Sequence, residues 1–200
     1  MASGVVELVN QALTSLGVEP INDLEENSRP ARFAKQKYEH VRDVVLRSHV
    51  WNSATKRASL PRLEGVPVFG YAYQYQLPAD FLRLLTINQH PKERHRIEHN
   101  RVLLTDVEAA QITYVARIDT IVEMDLLLQE VIAARLAVEL AMPLKGDIAL
   151  RSQLMGEYQE KYAEAMYADA KEKPMEQLSG SEWVEGRQSG PHSTWIDARR

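Results

Sequence analysis

The stretch LLLQEVIAARLAVELA, residues 126–141, predicts a helix that is apolar on most of its sides. Such a helix is stable in water only when other elements cover it on several sides. We therefore expect the helix over 121–142 to lie at the centre of the helical part of the protein. Pro143 is expected to end it, and Gly146 to lie in the turn that follows.

A second helix is predicted directly after this central one. Asp147 can cap its start, and the helical pattern continues to about Lys171. Side chains four positions apart give it one apolar face, which we expect to pack on the central helix: Leu150, Leu154, Tyr158 and Tyr162.

Two more helices are predicted near the N-terminus. Apolar residues at helical spacing run up to Gly17, which is expected to close the first helix, and Pro20 lies in the following turn. Asn27 or Ser28 can cap the second helix, which is expected to run to about Ser48. The chain therefore has one pair of helices on each side of its middle third.

The middle third, residues 53–118, has the alternation that is typical of strands. The connections are short, so we expect a small antiparallel sheet. Strands are predicted over 71–77, 82–88, 101–104 and 111–118, with a polar loop or hairpin tip at 90–96.

The order of these elements predicts an α+β fold. Helices that the sheet separates in sequence can pack together, and the sheet is then an insertion that projects from them. We expect a bundle of about four helices from residues 1–50 and 119–173, an inserted antiparallel β-domain at 51–118, and an extended C-terminal tail at 174–200.

Composition excludes several classes of site. The 200 residues include no cysteine, which rules out disulfides, thiolate zinc sites and cysteine nucleophiles. Phosphate-cradling glycine motifs are absent, so no cofactor is predicted. No signal peptide is recognised at the N-terminus, and no apolar run approaches the length of a membrane span.

Neither a metal site nor a catalytic site is predicted. His90, His95 and His99 have suitable spacing for metal ligands, but lysines and arginines surround them, and we interpret the segment as an exposed polar hairpin. Carboxylate pairs such as Glu157 and Glu160 lie on an amphipathic helix beside lysine, which is typical of a solvated face.

The charge is distributed unevenly although the net charge is only −4. Residues 29–62 carry nine basic and two acidic residues, and residues 123–173 carry ten acidic and six basic ones. Either these are two solvated helix faces, or the basic face of one copy meets the acidic face of the next. The candidate contact residues are Arg29, Arg32, Arg42, Arg47, Lys56 and Arg57 on one side and Glu157, Glu160 and Glu164 on the other.

Aromatic residues provide two further candidates. Tyr71, Tyr73 and Tyr75 form either a buried sheet face or a platform for stacking on exposed bases. The Gly/Ser-rich tail is expected either to dock on a partner or to fold back on its own subunit. Its large apolar residues are Leu178, Trp183, Val184, Trp195 and Ile196.

Four segments carry a family resemblance, and in one of them Ser28, Ala31, Arg32 and Tyr38 resemble the start of the family's second helix. Residues 9–26, VNQALTSLGVEPINDLEE, look like the opening of tail tubular protein A, the head-to-tail adaptor family of short-tailed phages. Residues 42–57, RDVVLRSHVWNSATKR, are similar to the family's RDxxLxxHPWNFAxxR segment, with Val50 and Ser53 in place of Pro and Phe. Residues 69–84, FGYAYQYQLPADFLRL, resemble its FGWAYxYxLPADxLRL segment. The matching family-motif residues are Gly17, Pro20, Trp51, Asn52, Tyr73, Pro78 and Asp80.

This resemblance implies a structural virion protein without enzymatic activity or cofactor, made in the host cytoplasm and located at the head-tail junction. Family members form a ring, with twelve copies beneath the portal protein, and a tail nozzle of the tail tubular protein B type binds from below. Double-stranded DNA passes through the lumen without sequence-specific binding, no membrane is involved, and the C-terminal segment reaches the portal. The similarity is good over 5–85, softer over 121–171 and absent after about 174.

Two other functions stay open at the level of sequence. A tail-associated cell-wall hydrolase would need a pocketed carboxylate pair. A nucleic-acid-binding accessory protein would use the tyrosine strand and the basic segment 29–62.

Overall fold

The computed structural model describes residues 2–99 and 101–172, so the tail predicted at 174–200 lies outside the described residues. The four helices and six strands of this described part confirm the α+β fold. The helices are α1 (Ala2–Ser15), α2 (Arg29–Ser48), α3 (Leu126–Lys145) and α4 (Ile148–Glu172), with a 3₁₀ turn at Ile121–Glu123. The strands are β1 (Thr55–Ser59), β2 (Tyr73–Gln76), β3 (Phe81–Ile87), β4 (His95–Glu98), β5 (Val102–Thr105) and β6 (Gln111–Ala116).

Helix α3 lies at the centre of the bundle, as its sequence predicted. It packs against α1, α2 and α4, and nine of its residues are buried. Helix α4 covers one side of α3 and keeps a broad solvent face, with only Leu154 and Ala165 buried. The chain segments before and after the strands therefore close into one helical body.

Side-chain caps fix where the helices begin. Ser28 Oγ accepts a hydrogen bond from the Ala31 amide at 3.3 Å, and Asp147 Oδ1 accepts from the Ala149 and Leu150 amides. These bonds use backbone donors that have no partner inside the helix. The predicted caps at Ser28 and Asp147 are confirmed.

Pro143 does not end α3, contrary to the prediction. It lies in the last turn, and the helix continues to Lys145. Because proline has no backbone N–H, the last turn of α3 lacks one hydrogen bond to the preceding turn, yet the helix is not broken there. The helix ends at Gly146, whose φ of 68° lets its amide donate to the Ala141 and Met142 carbonyls.

The strands form two three-stranded antiparallel sheets where one had been expected, in the orders β1-β6-β3 and β2-β5-β4. The segment 90–96, predicted as a polar loop or hairpin tip, includes the start of β4, which pairs with β5. Strand β4 is an edge strand with mostly exposed residues, so it lacks the alternating apolar pattern by which strands are recognised.

Strand β6 connects the two hydrophobic cores. Val115 belongs to the core of the helical bundle, whereas Ile112 and Tyr114 belong to a second core that the two sheets share. Alternate side chains of one strand point to opposite faces of its sheet. The β1-β6-β3 sheet is therefore covered by helices on one face and by the β2-β5-β4 sheet on the other.

Candidate functional site

Trp51 lies at the point where the chain leaves the bundle and enters the β-domain. Its side chain is buried, and its indole Nε1 donates a hydrogen bond to the Val45 carbonyl at 3.0 Å. The rings of His49 and Tyr162 contact it edge-on, with centroids 4.7 and 5.9 Å away. Because Tyr162 belongs to α4, Trp51 connects the end of α2 to the last helix.

Asn52 fixes the start of the β-domain to α4. Its backbone amide donates to Asp169 Oδ1 at 2.7 Å, and its side-chain amide donates to the Asp169 carbonyl at 2.9 Å. The His49 ring nitrogen Nε2 lies 3.3 Å from the second Asp169 oxygen. Three contacts on one residue hold the C-terminal part of α4 against the exit of α2.

Asp80 joins three parts of the β-domain. Its carboxylate accepts hydrogen bonds from Tyr114 Oη at 3.0 Å and Lys56 Nζ at 3.1 Å, and its carbonyl accepts from the Arg117 amide. Burial and then the bond to Asp80 raise the pKa of Tyr114 to about 12. Pro78 opens the same turn, and its carbonyl accepts from the Phe81 amide.

The tyrosines of the β2 region have different environments. Tyr75 is buried in the sheet core, where its hydroxyl donates to the Val107 carbonyl at 2.8 Å. Tyr73 and Tyr71 are partly exposed, and the guanidinium groups of Arg62 and Arg94 lie over their rings at 4.4 and 4.7 Å. Arginine therefore covers one face of each of these two rings, where a base would otherwise stack.

The loop after α1 is fixed to α1 and α3. Gly17 has a φ of 60°, and its carbonyl accepts a hydrogen bond from Lys145 Nζ at 3.0 Å. The Asn10 side chain exchanges two hydrogen bonds with the backbone of Ile21, directly after Pro20. The turn that carries Gly17 and Pro20 thus has a defined conformation.

An ion network that sequence reasoning missed also connects the bundle to the β-domain. Arg42 is buried, and its guanidinium binds Asp43 at 3.0 Å and Asp119 at 2.8 Å. Arg117 binds Asp43 from the other side at 2.7 Å. Arg42 thus uses its charge within its own subunit, although we expected it to contact a neighbouring copy. The only feature of the sequence that could have indicated this network is the adjacent pair Arg42-Asp43.

The other predicted basic contact residues differ in their partners. Arg29 donates to the Pro143 carbonyl at 2.5 Å, and Arg47 donates to the Leu82 carbonyl. Lys56 is paired with Asp80, as described above. Within the described parts of the chain, the side chains of Arg32 and Arg57 are exposed and form no hydrogen bond or ion pair.

The three predicted acidic contact residues share one exposed side of α4. Glu157, Glu160 and Glu164 are all exposed, and Glu157 accepts a hydrogen bond from Gln153 at 3.0 Å. The neighbouring Lys161 donates to Glu130 on α3 and not to these three carboxylates. They form a continuous acidic line along the helix.

A groove of about 240 Å³ lies between α1 and α4, over α3. Its floor includes Ala133 and Ala137, and Glu130, Glu157 and Lys161 line its sides.

Among residues 2–99 and 101–172 no cluster of three or more potential ligands is placed to hold a metal ion. In that same part of the chain, no helix is both long and apolar enough to cross a bilayer.

The predicted docking residues of the tail lie outside the described residues: Leu178, Trp183, Val184, Trp195 and Ile196.

Comparison of the sequence with models of known families and with curated proteins finds no match. The functional argument therefore depends on the residues of the chain and on how the fold brings them together.

Proposed function

We propose that this protein is the structural subunit of a head-to-tail adaptor, which forms a ring between the portal and the tail nozzle of a phage. The observation that carries the proposal is the location of the residues that resemble this family. Trp51, Asn52 and Asp80 lie in separate segments, yet each connects elements at or next to the junction between the helical bundle and the β-domain. The segments are those by which the sequence resembles tail tubular protein A.

The contacts of these residues favour a structural role over a chemical one. The indole of Trp51, the amide of Asn52 and the carboxylate of Asp80 are each bound to another part of the same chain. Trp51 and Asn52 fix how the β-domain is oriented on the bundle, and Asp80 holds the adjoining strands of the β-domain together. A ring subunit needs this property, because a small error in orientation is repeated at every copy around the ring.

Charge supports the same proposal. A ring forms when one surface of a copy binds a different surface of the next copy and the rotation closes. The exposed acidic side of α4 and the basic residues of α2 are two such surfaces. An acidic lumen would also suit passing DNA, since like charges limit binding to phosphate.

The proposed partners are the portal protein, a tail nozzle protein of the tail tubular protein B type, further copies of this chain and double-stranded DNA in the lumen. We place the protein in the virion, at the head-tail junction, with no cofactor. The tail residues Trp183 and Trp195 are proposed to bind the portal, because large aromatic side chains are frequent in the energetically dominant part of interfaces.

Negative-stain imaging of the purified protein, alone and with a portal ring, tests the proposal. We expect rings, or added density on one end of the portal. A protein that stays monomeric and leaves the portal bare would refute the adaptor function. A turnover assay on peptidoglycan tests the hydrolase alternative. If the protein hydrolysed peptidoglycan and Glu157→Gln abolished this activity, the hydrolase function would be favoured over the adaptor function.

The role of the tail is tested by a double variant, Trp183→Ala with Trp195→Ala. We expect it to keep the helical circular dichroism of the wild type and to lose portal binding in a pull-down. Val122→Ala, a change at an exposed residue of the bundle, is the control and should bind as the wild type does. Undiminished binding by the double variant would remove this role from the tail.

A further inference from the structure

Helix α2 carries a line of residues on one side, of which His40, Val44 and Arg47 are exposed and Lys37 is half-buried. Lys37, His40, Val44 and Arg47 follow one another at spacings of three and four, which places them on one side of the helix. Val44 is 42% exposed and gives the line an apolar member. We call these four residues the α2 line.

Helix α4 carries a second line with the same spacing. Glu157, Glu160, Glu164 and Tyr167 follow one another at three, four and three positions, as the members of the α2 line do. Tyr167 is 64% exposed. We call these four residues the α4 line. One line is basic with an apolar member, and the other is acidic with an aromatic member.

The charges of the two lines are not neutralised inside the subunit. In the part of the chain that the structure describes, no ion pair involves Lys37, Arg47 or any carboxylate of the α4 line. Arg47 donates to a backbone carbonyl, and Glu157 accepts from a neutral side-chain amide. Both lines therefore present unpaired charge to solvent.

We propose that the α2 line of one copy docks on the α4 line of the next copy. The inference rests on the proposed ring function and adds the contact surface to it. A second copy is the occupant because each chain carries both surfaces, and they match in charge and in spacing. Such a contact joins two different surfaces, so it repeats from copy to copy and can close into a ring.

The match holds for either direction of the two helices. In a parallel arrangement Lys37 faces Glu157 and Arg47 faces Tyr167. In the antiparallel arrangement Arg47 faces Glu157 and Lys37 faces Tyr167. Each direction gives one opposite-charge pair, which is a favourable contact. The second cation lies opposite Tyr167, one face of whose ring is covered by Lys171 of the same copy, 4.2 Å from the centroid.

Charge reversal tests the contact. Variant A is Lys37→Glu with His40→Glu, so that both of its lines are acidic. Variant B is Glu160→Lys with Glu164→Lys, so that both of its lines are basic. We expect self-association of each variant, measured by sedimentation velocity, to be weakened at least about tenfold, because like charges then meet at the contact.

The decisive measurement is an equal mixture of variants A and B. In the mixture every acidic α2 line can meet a basic α4 line, and every basic α2 line can meet an acidic α4 line. We expect the mixture to recover assembly, in rings where A and B alternate. The control, Lys92→Glu with Glu108→Lys, changes exposed charges of the β-domain and should assemble as the wild type does.

Chemical cross-linking then identifies the contact. A carbodiimide joins an amine directly to a carboxylate, so it should link Lys37 of one copy to a carboxylate of the α4 line of another. Mixing isotopically labelled and unlabelled protein identifies links between copies. We expect such links at low salt and fewer at high salt, where surface charges are screened.

The outcomes distinguish this inference from the adaptor function. If A and B alone form rings as the wild type does, or if their mixture fails while the wild type assembles, the contact lies elsewhere and only this inference is overturned. If the wild type forms no ring, alone or with a portal, both proposals are overturned.

Discussion

Replacing Trp51 by phenylalanine tests whether the junction contributes to the stability of the whole chain. The substitution removes the hydrogen bond from indole Nε1 to the Val45 carbonyl and leaves a smaller ring in the same place. The Val45 carbonyl also accepts from Ser48 Oγ at 2.7 Å, so it keeps one partner after the change. We therefore expect the loss of this hydrogen bond to lower the free energy of unfolding by only about 0.5–1 kcal/mol.

The smaller ring contributes the larger part of the expected effect. Trp51 is buried between His49 and Tyr162, so the atoms that phenylalanine lacks leave a gap. At about 0.8 kcal/mol per buried methylene, the missing atoms should lower the free energy of unfolding by about 1–2 kcal/mol. The free energy of unfolding should fall by about 2 kcal/mol in total, and the melting temperature by about 4–8 °C for a chain of this size.

The measurement is urea unfolding followed by circular dichroism at 222 nm, with thermal unfolding as a second probe. Tyr167→Phe is the matched control, because that ring is largely exposed and the change should be within about 0.5 kcal/mol of the wild type. If Trp51→Phe were as stable as the control, the indole would not connect the bundle to the β-domain in the way described here.

Four further substitutions have expected outcomes that equilibrium unfolding can check. Gly17→Ala places a side chain on a backbone with a φ of 60° and should lower the free energy of unfolding by about 1–2 kcal/mol. Gly156→Ala adds a methyl group in open space on α4 and should raise it by up to about 1 kcal/mol. Equal effects of the two changes would contradict the left-handed backbone conformation at Gly17. The pKa of Tyr114 is about 12 in the folded chain and 10 in the unfolded chain, so its protonated hydroxyl contributes fully to the free energy of unfolding below pH 10 and loses this contribution as the pH rises towards 12. Tyr114→Phe should therefore flatten the fall of the free energy of unfolding between pH 10 and 12. An unchanged pH profile would refute this role of the Tyr114 hydroxyl. Asp43→Ala leaves two arginines without this partner, one of them buried, and should lower stability by about 2–3 kcal/mol, while a loss below about 0.5 kcal/mol would show that the network is not needed.

Much of the helical body could be predicted because its signals are local. Residues 126–141 are apolar around most of the helix, so the central position of α3 follows from the sequence. Ser28 and Asp147 cap helices with bonds to amides two or three residues away. Such short-range bonds form wherever the right residue precedes a helix, so the sequence pattern is sufficient to recognise them.

Other features depend on contacts between distant parts of the chain. The sequence predicted antiparallel strands but not their division into two sheets, because β1 and β6 pair across more than fifty residues. Strand β4 has few apolar residues, and only its pairing with β5 makes it a strand. Arg42 was expected on the surface, and only the fold brings Asp119 near enough to neutralise it in the interior.

By itself, then, the sequence determined that there are four helices, the caps at Ser28 and Asp147, and the presence of an antiparallel insertion, since the periodicity and end residues of an element act over a few positions. Only the tertiary structure decided how the two bodies are joined and which charges remain available. Whether Arg42 binds inside its own subunit while Lys37 stays at the surface depends on which distant carboxylates the fold brings close. A direct ion pair forms only when the two charged groups lie within about 4 Å of each other, and the order of residues along the chain does not fix that distance.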